Sequence, residues 1–228
     1  MTPFARDIRK FNEIYRLPVS DVPTLAVGVP PAERIAAFRD ILCEELDESN
    51  DIARAIEAGE EELDILVSLA DWLGDIQVYC ASEATKFGIG VPDVSGAGEG
   101  PAAPTLAIGV PVLHQLMGFK MAIANRLSAL DAAIEAVHAG QSADAIIELL
   151  GRFLLDVRET CAQEMRRFGM PNDKVLAIIM QSNFSKLGAD GLPIYDERGK
   201  VMKGPGYWKP EPKIRALLAG LVASAQAA

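Results

Sequence analysis

Residues 23–88 of this 228-residue chain can be laid on residues 104–169 at a constant offset of 81, without a gap. Pro23-Thr24-Leu25-Ala26-Val27-Gly28-Val29-Pro30 returns as Pro104-Thr105-Leu106-Ala107-Ile108-Gly109-Val110-Pro111, and Cys80, Glu83 and Phe87-Gly88 return as Cys161, Glu164 and Phe168-Gly169. Twenty-one of the 66 aligned positions are identical. Two copies are too few for an open solenoid, which needs about three units. They suit a fused pseudo-dimer in which each copy covers the other's apolar face. Neither half is long enough to bury its faces alone, so one domain spanning 1–228 is expected. The copies differ in charge. Glu44, Glu45, Glu48, Asp71 and Asp75 of the first face Asn125, Arg126, Ala129, Arg152 and Asp156 in the second. Four of five acids are lost from a scaffold that is kept, which points to one charged site.

The spacing of apolar residues is helical. Ile35, Phe38, Ile41, Leu42, Leu46 and Ile52 make one stripe between Pro31 and Gly59, and Leu63, Leu66, Leu69, Leu73, Ile76 and Tyr79 make another that ends at Gly88. The second copy predicts helices from about Val112 to Gly140 and from Ala143 to Gly169, each stopped by glycine. Short helices are expected at about Pro3–Tyr15, Asp173–Met180 and Lys213–Ala228. Residues 89–103 read as a linker, and residues 181–212, rich in Gly, Pro and Lys, read as a loop. The predicted fold is all-α: a helical bundle of two duplicated helical hairpins with a lysine-rich C-terminal loop.

Net charge is −10, with 32 acidic against 22 basic side chains. Such a surface repels a nucleic-acid polymer, while a small phosphorylated ligand remains open because metal ions bridge acids to phosphates. No run approaches the roughly 20 apolar residues of a membrane span. Three cysteines argue against a disulfide framework and fit a reducing compartment, so a cytoplasmic location is expected.

On a helix, Glu45 and Glu48 share a face, as do Glu44 and Glu48, and Asp71 and Asp75 share a face of the next helix. Packed antiparallel, the two helices would direct four or five carboxylates into one cleft, the donor set of a hard cation such as Mg²⁺. The bland reading is a solvated acidic face. Against it, Asp71 and Asp75 interrupt an otherwise apolar helix, the acids recur on paired helices, and the second copy loses them. Lys186, Lys200, Lys203 and Lys209 gather in the Gly/Pro-rich loop. Ammonium groups suit phosphate oxygens, and Asn183 and Ser185 can add hydrogen bonds. Trp72, beside the acids, is open to a core role or to stacking on a base.

Glu-Glu-Leu-Asp-Glu at 44–48 with Asp-Trp-Leu-Gly-Asp at 71–75 resembles the all-α nucleotide pyrophosphohydrolases, the MazG-like and phosphoribosyl-ATP pyrophosphohydrolase-like proteins. Their signature is Glu-x-x-Glu on one helix and Glu-x-x-Asp on the next. Glu45, Glu48 and Asp75 match it, whereas Trp72 stands at the first acid of the second pair, with Asp71 one residue earlier. Ser182-Asn183-Phe184-Ser185-Lys186 and Gly199-Lys200-Val201-Met202-Lys203-Gly204 are similar to the Ser-Asn-Met-Ser-Lys and Gly-Lys-Val-x-Lys-Gly elements of the second branch, with Met180 where that branch carries a histidine.

The resemblance implies Mg²⁺-dependent cleavage of a nucleoside triphosphate or related nucleotide to a monophosphate and pyrophosphate, Mn²⁺ being a substitute. It implies metal ligands Glu45, Glu48, Asp71 and Asp75, with Glu44 or Glu45 orienting the attacking water. Asn183, Ser185, Lys186, Lys200 and Lys203 would bind substrate. Because single-repeat relatives are usually oligomers a homodimer is left open, without the sequence deciding whether the pseudo-dimer pairs again. The departures at Trp72 and Met180 leave a second reading, a catalytically silent nucleotide- or metal-binding protein on the same scaffold.

Overall fold

A computed structural model describes residues 1–94, 100–195 and 201–227. Its helices are α1 (Pro3–Ile14), α2 (Pro31–Ala58), α3 (Glu62–Lys86), α4 (Val112–Arg126), α5 (Ser128–His138), α6 (Ala143–Arg167), α7 (Asn172–Phe184) and α8 (Glu211–Gln226). Among the described residues the only β pairing is a single bridge between Tyr195 and Val201. The chain is an all-α bundle, as its periodicity predicts. None of its described helices is long and apolar enough to cross a membrane.

Two glycines show how the local sequence sets these boundaries. Gly88 and Gly169 follow α3 and α6 with φ of 68° and 69°, a left-handed conformation that costs other residues about 1 kcal/mol or more. A Cβ at either site would also run into a backbone carbonyl, that of Val22 or of Ala103. The close approach lets Thr24 N donate to Phe87 O and Thr105 N donate to Phe168 O, each at 3.0 Å. The segment leading into each half is thereby pinned to the end of that half's last helix.

At the centre α3 lies along α6, with α2 packed on α3, α4 and α5. Positions 81 apart exchange partners across this contact. Phe38 of α2 meets Phe153 of α6 edge-on with centroids 6.4 Å apart, and Phe119 of α4 meets Trp72 of α3 edge-on at 5.3 Å. Arg39 pairs with Asp131 at 2.8 Å, and Lys120 donates to Asn50 at 3.1 Å. Within the halves, Arg34 binds Glu83 through both arms of its guanidinium, and Gln115 donates to both oxygens of Glu164 at 2.7 and 2.9 Å. Each of these pairings thus has a counterpart between the positions 81 residues away. Cys80 and Cys161, at equivalent positions, are fully buried thiols.

Two boundaries differ from the sequence reading. The helix expected from Val112 to Gly140 is interrupted at Leu127 and becomes α4 and α5. Side-chain donors take helix carbonyls on both sides of the break: Arg126 Nη1 bonds Ala122 O at 2.7 Å and Ser128 Oγ bonds Asn125 O at 2.9 Å, which competes with the main-chain ladder. The loop expected from Gln181 starts later, because α7 continues through Ser182 and Asn183 to Phe184. Both residues are buried, so packing holds in the helix a stretch whose polar character suggests a turn.

Candidate functional site

The acids of α2 and α3 reach one cleft because Trp72 fixes the two helices at their level. Its indole N–H donates to the Glu45 carbonyl at 2.8 Å, its ring packs on Phe119, and it is 4% exposed. The stacking role is therefore closed to it, and the core role is the one it fills. The cleft has a volume of about 400 Å³, and its lining includes Glu48, Asp51, Glu60, Asp71, Trp72, Asp75 and Glu211. Other cavities in the molecule are as large. One between α1 and α7, of about 370 Å³, mixes Arg158 and Lys174 with Asp7, Asp93 and Asp173. The acidic cleft is distinguished by six acids with no basic side chain among its lining residues.

Burial, then the charges of Asp75, Glu48 and Asp71, push the Glu45 carboxyl up to about 9. Burial, then Asp75, Glu211 and Glu48, push Asp71 up to about 8. Burial also raises Asp75, to about 6, with Lys186 the main force pulling it back down. Two carboxylate oxygens of α2 and α3, Glu45 Oε1 and Asp71 Oδ1, are buried without a hydrogen-bond partner. The group cannot hold all its charges together unless something positive joins it. Oxygen donors alone make up the set, which suits a hard divalent cation, and the orphaned oxygens are what such an ion would satisfy. Among the described residues no three of these groups are already drawn close enough to hold one. Glu48, Asp71 and Asp75 share the cleft, and Glu45 acts on them from within electrostatic reach, without the four sharing a point.

Glu44 stands apart from this group. It is exposed, and its charge acts on Tyr79 together with those of Glu45, Asp75 and Glu48. The sequence reading put Tyr79 on the apolar stripe. Instead it lies one turn beyond Asp75 on the acid face, 39% exposed, with its phenol raised above the ordinary value first by burial and then by those four charges. Position 79 continues the row 71, 75, 79, a spacing that marks it as a neighbour of the acids.

The C-terminal segment comes back to the cleft through tight backbone bonds. Lys186 follows α7 and is half-buried; burial lowers its pKa, while Asp75, Asp71 and Glu45 raise it. It lies within electrostatic reach of all three but forms no direct ion pair with them. Gly204 N donates to Lys186 O at 3.1 Å, an approach only glycine allows because a Cβ there would meet the Leu187 carbonyl. Lys203 is thus brought beside Lys186. It lies over the Tyr207 ring, 4.8 Å from the centroid, and helps hold Asp75 down.

Asn183 and Ser185 are placed differently. Asn183 is buried, with its carbonyl accepting from the Tyr15 hydroxyl at 2.8 Å. Ser185 Oγ donates to Ser182 O at 2.7 Å and accepts from Trp208 N at 3.2 Å. These bonds hold the loop in place. Lys200, with Gly199, lies outside the described residues. Trp208 is covered by Lys213, whose ammonium is 3.6 Å from the ring centroid.

Glu211 was not singled out from the sequence. It begins α8, its Oε2 is buried without a partner, and its charge bears on both Asp71 and Asp75. The only signal for it is its place directly after Trp208-Lys209-Pro210, at the end of the lysine-rich loop.

No family model and no curated protein matches this chain. The crystal structure of a protein from Exiguobacterium sp. 255-15, proposed to be an NTP pyrophosphohydrolase, is similar with a TM-score of 0.48 and 19% identity, over 98% of each chain.

Proposed function

We propose that this chain is a divalent-cation-dependent nucleotide pyrophosphohydrolase that cleaves a nucleoside triphosphate or related nucleotide to a monophosphate and pyrophosphate, with Mg²⁺ as the natural ion and Mn²⁺ as a substitute. One observation carries the reading. Four carboxylates from two helices, Glu45, Glu48, Asp71 and Asp75, lie within electrostatic reach of one another, and a half-buried lysine acts on three of them, with two of their buried oxygens unpartnered. The motif resemblance of residues 44–48, 71–75 and 182–204 adds the reaction class.

In this reading the four carboxylates hold the cation, which when bound supplies neutralisation of phosphate charge and a more acidic water. The chain's own groups do the rest. Glu44, or Glu45, accepts the proton of the water that attacks the α-phosphorus. The bond from that phosphorus to the bridging oxygen breaks, and the electron pair leaves with pyrophosphate. Lys186 and Lys203 present ammonium groups to the phosphate chain and stabilise the charge that develops on the leaving group. Lys200 joins them, and Asn183 and Ser185 set the turn that positions Lys186. The two halves are then a fused dimer with one site, since Asn125, Arg126, Ala129 and Arg152 stand where the first half has acids.

The direct test is pyrophosphate release from a nucleotide panel with Mg²⁺. Wild-type protein is expected to turn over, and a Glu48→Ala, Asp75→Ala double variant to be inert while keeping its helical circular dichroism. Full activity in the double variant sinks the assignment. The silent-binder reading has one observation in its favour: Trp72, at the family's acid position, is committed to the core. It predicts nucleotide binding by calorimetry with no release of pyrophosphate.

A further inference from the structure

Glu211 is not needed to explain α8. An acid in the first turn suits the positive end of a helix dipole, but an exposed carboxylate serves that purpose. Here Oε2 is turned into protein without a partner, and Oε1 has only a 3.8 Å pairing with Lys209. The side chain lines a cleft that already holds Glu48, Asp71 and Asp75, where every added negative charge is unfavourable by itself. Its placement is enforced by the fold. Ser182 Oγ donates to Trp208 O at 2.8 Å, Trp208 N donates to Ser185 Oγ, and Pro210 is buried. One turn further on, Arg215 ties α8 to Asp64 and Glu61. An independent feature of the same cluster points to a cation: Glu45 is 6% exposed, has an unpartnered Oε1, and faces the charges of Asp75, Glu48 and Asp71.

We propose that α8 supplies a fifth carboxylate, Glu211, to the cation cleft, so that binding of the ion fastens the C-terminal helix onto α3. The inference rests on the cation site proposed above and extends it to a part of the chain outside both acidic helices. It also gives the C-terminal segment a second task beside carrying lysines: cation and phosphate contacts would both depend on the path from Lys186 to Glu211.

The experiment titrates Mn²⁺ into full-length wild-type, Glu48→Gln and Glu211→Gln proteins, reading free Mn²⁺ by electron paramagnetic resonance and α8 by amide hydrogen exchange. Loss of one supporting carboxylate is expected to weaken Mn²⁺ binding about tenfold. Saturating Mn²⁺ should slow exchange along α8 in wild type and leave it unchanged in Glu211→Gln. Cation-free Glu211→Gln should melt no lower than wild type, because a like charge has been removed. Equal Mn²⁺ affinity and equal α8 protection in wild type and Glu211→Gln overturn the inference while leaving the site intact. A lower melting point with unchanged Mn²⁺ affinity also overturns it, assigning Glu211 to the helix dipole alone. Failure of wild type itself to bind Mn²⁺ overturns the cation site, and this inference with it.

Discussion

Replacing Glu45 by Gln is expected to flatten the pH dependence of stability of the cation-free protein. The side chain is 6% exposed, and its carboxyl is raised from the ordinary 4.5 to about 9. Between those values the folded chain holds a proton that the unfolded chain releases. Folding therefore takes up protons in that window, and stability falls as pH rises, by about 1.4 kcal/mol per pH unit for one such group. The contribution is undiminished below 4.5 and fully lost above 9. Between pH 5.5 and 7.5 Glu45 alone accounts for about 3 kcal/mol. Asp71 and Asp75, also raised, add slope of the same sign, while Lys186, lowered, acts in the opposite sense at alkaline pH. Gln keeps the shape and removes the titration, so the variant should lose about 1.4 kcal/mol per pH unit of slope and retain the part due to the aspartates. Its amide must find a partner, which shifts the absolute stability by about 1–3 kcal/mol but leaves the slope untouched. Urea unfolding with a chelator present, followed by circular dichroism at pH 5.5, 6.5 and 7.5, measures that slope. A Glu45→Gln protein with the wild-type slope would refute the claim that burial and neighbouring acids hold this carboxyl protonated.

Three further outcomes follow from the same geometry. Cation binding at pH 7.5 should expel protons, because Glu45 and Asp71 are mostly protonated before the ion enters; calorimetry in two buffers of different ionisation enthalpy detects this, and identical heats in both would contradict it. Trp72→Ala should cost about 3–5 kcal/mol of stability in urea unfolding, and Trp72→Phe, which installs the residue of the second half, should cost less. A Trp72→Ala protein as stable as wild type would show that the indole does not brace α2 against α3. Lys186→Met should lower pyrophosphate release about 10²-fold with the fold intact, and unchanged kcat and KM would remove Lys186 from the site.

The helices were legible because the pattern of apolar residues and the stopping glycines are local signals, and both bear directly on α2 and α3. Part of what stayed hidden is local, and the rest depends on partners distant in sequence. The break at Leu127 falls where the hydrophobic stripe runs on, with Arg126 and Ser128 turning donors onto carbonyls beside it. Asn183 looks like a loop residue and is buried in α7, since the Tyr15 hydroxyl, 168 residues away, comes to its carbonyl. Asp71, Asp75 and Glu45 could be grouped from helical spacing alone. Glu211 could not, because it comes to the cleft by way of a loop whose course is set by contacts such as Gly204 on Lys186. Tyr79 shows the converse. Its spacing was informative, but an aromatic residue fits an apolar stripe as readily as an acidic face.

Why one half carries the acids can be argued from the helix break and from the single C-terminal segment. In the first half, α2 runs for 28 residues without interruption, and Trp72 donates to the carbonyl of Glu45 in its middle. The matching pair in the second half is Phe153 and Arg126. Phe153 has no donor, and Arg126 ends α4 with its guanidinium folded back on Ala122. The backbone that would have to carry a buried carboxylate therefore lacks there the bond that Trp72 makes to Glu45. Restoring four acids at 125, 126, 129 and 152 would leave that defect in place. It would also leave those acids without a cationic segment, because the sequence running from Lys186 to Glu211 occurs once and is anchored on either side, at Asn183 by Tyr15 and at Arg215 by Asp64 and Glu61 of the first half. In the proposed function, the number of sites per chain is thus set by the tail and not by the number of helical hairpins: one C-terminal segment completes one site.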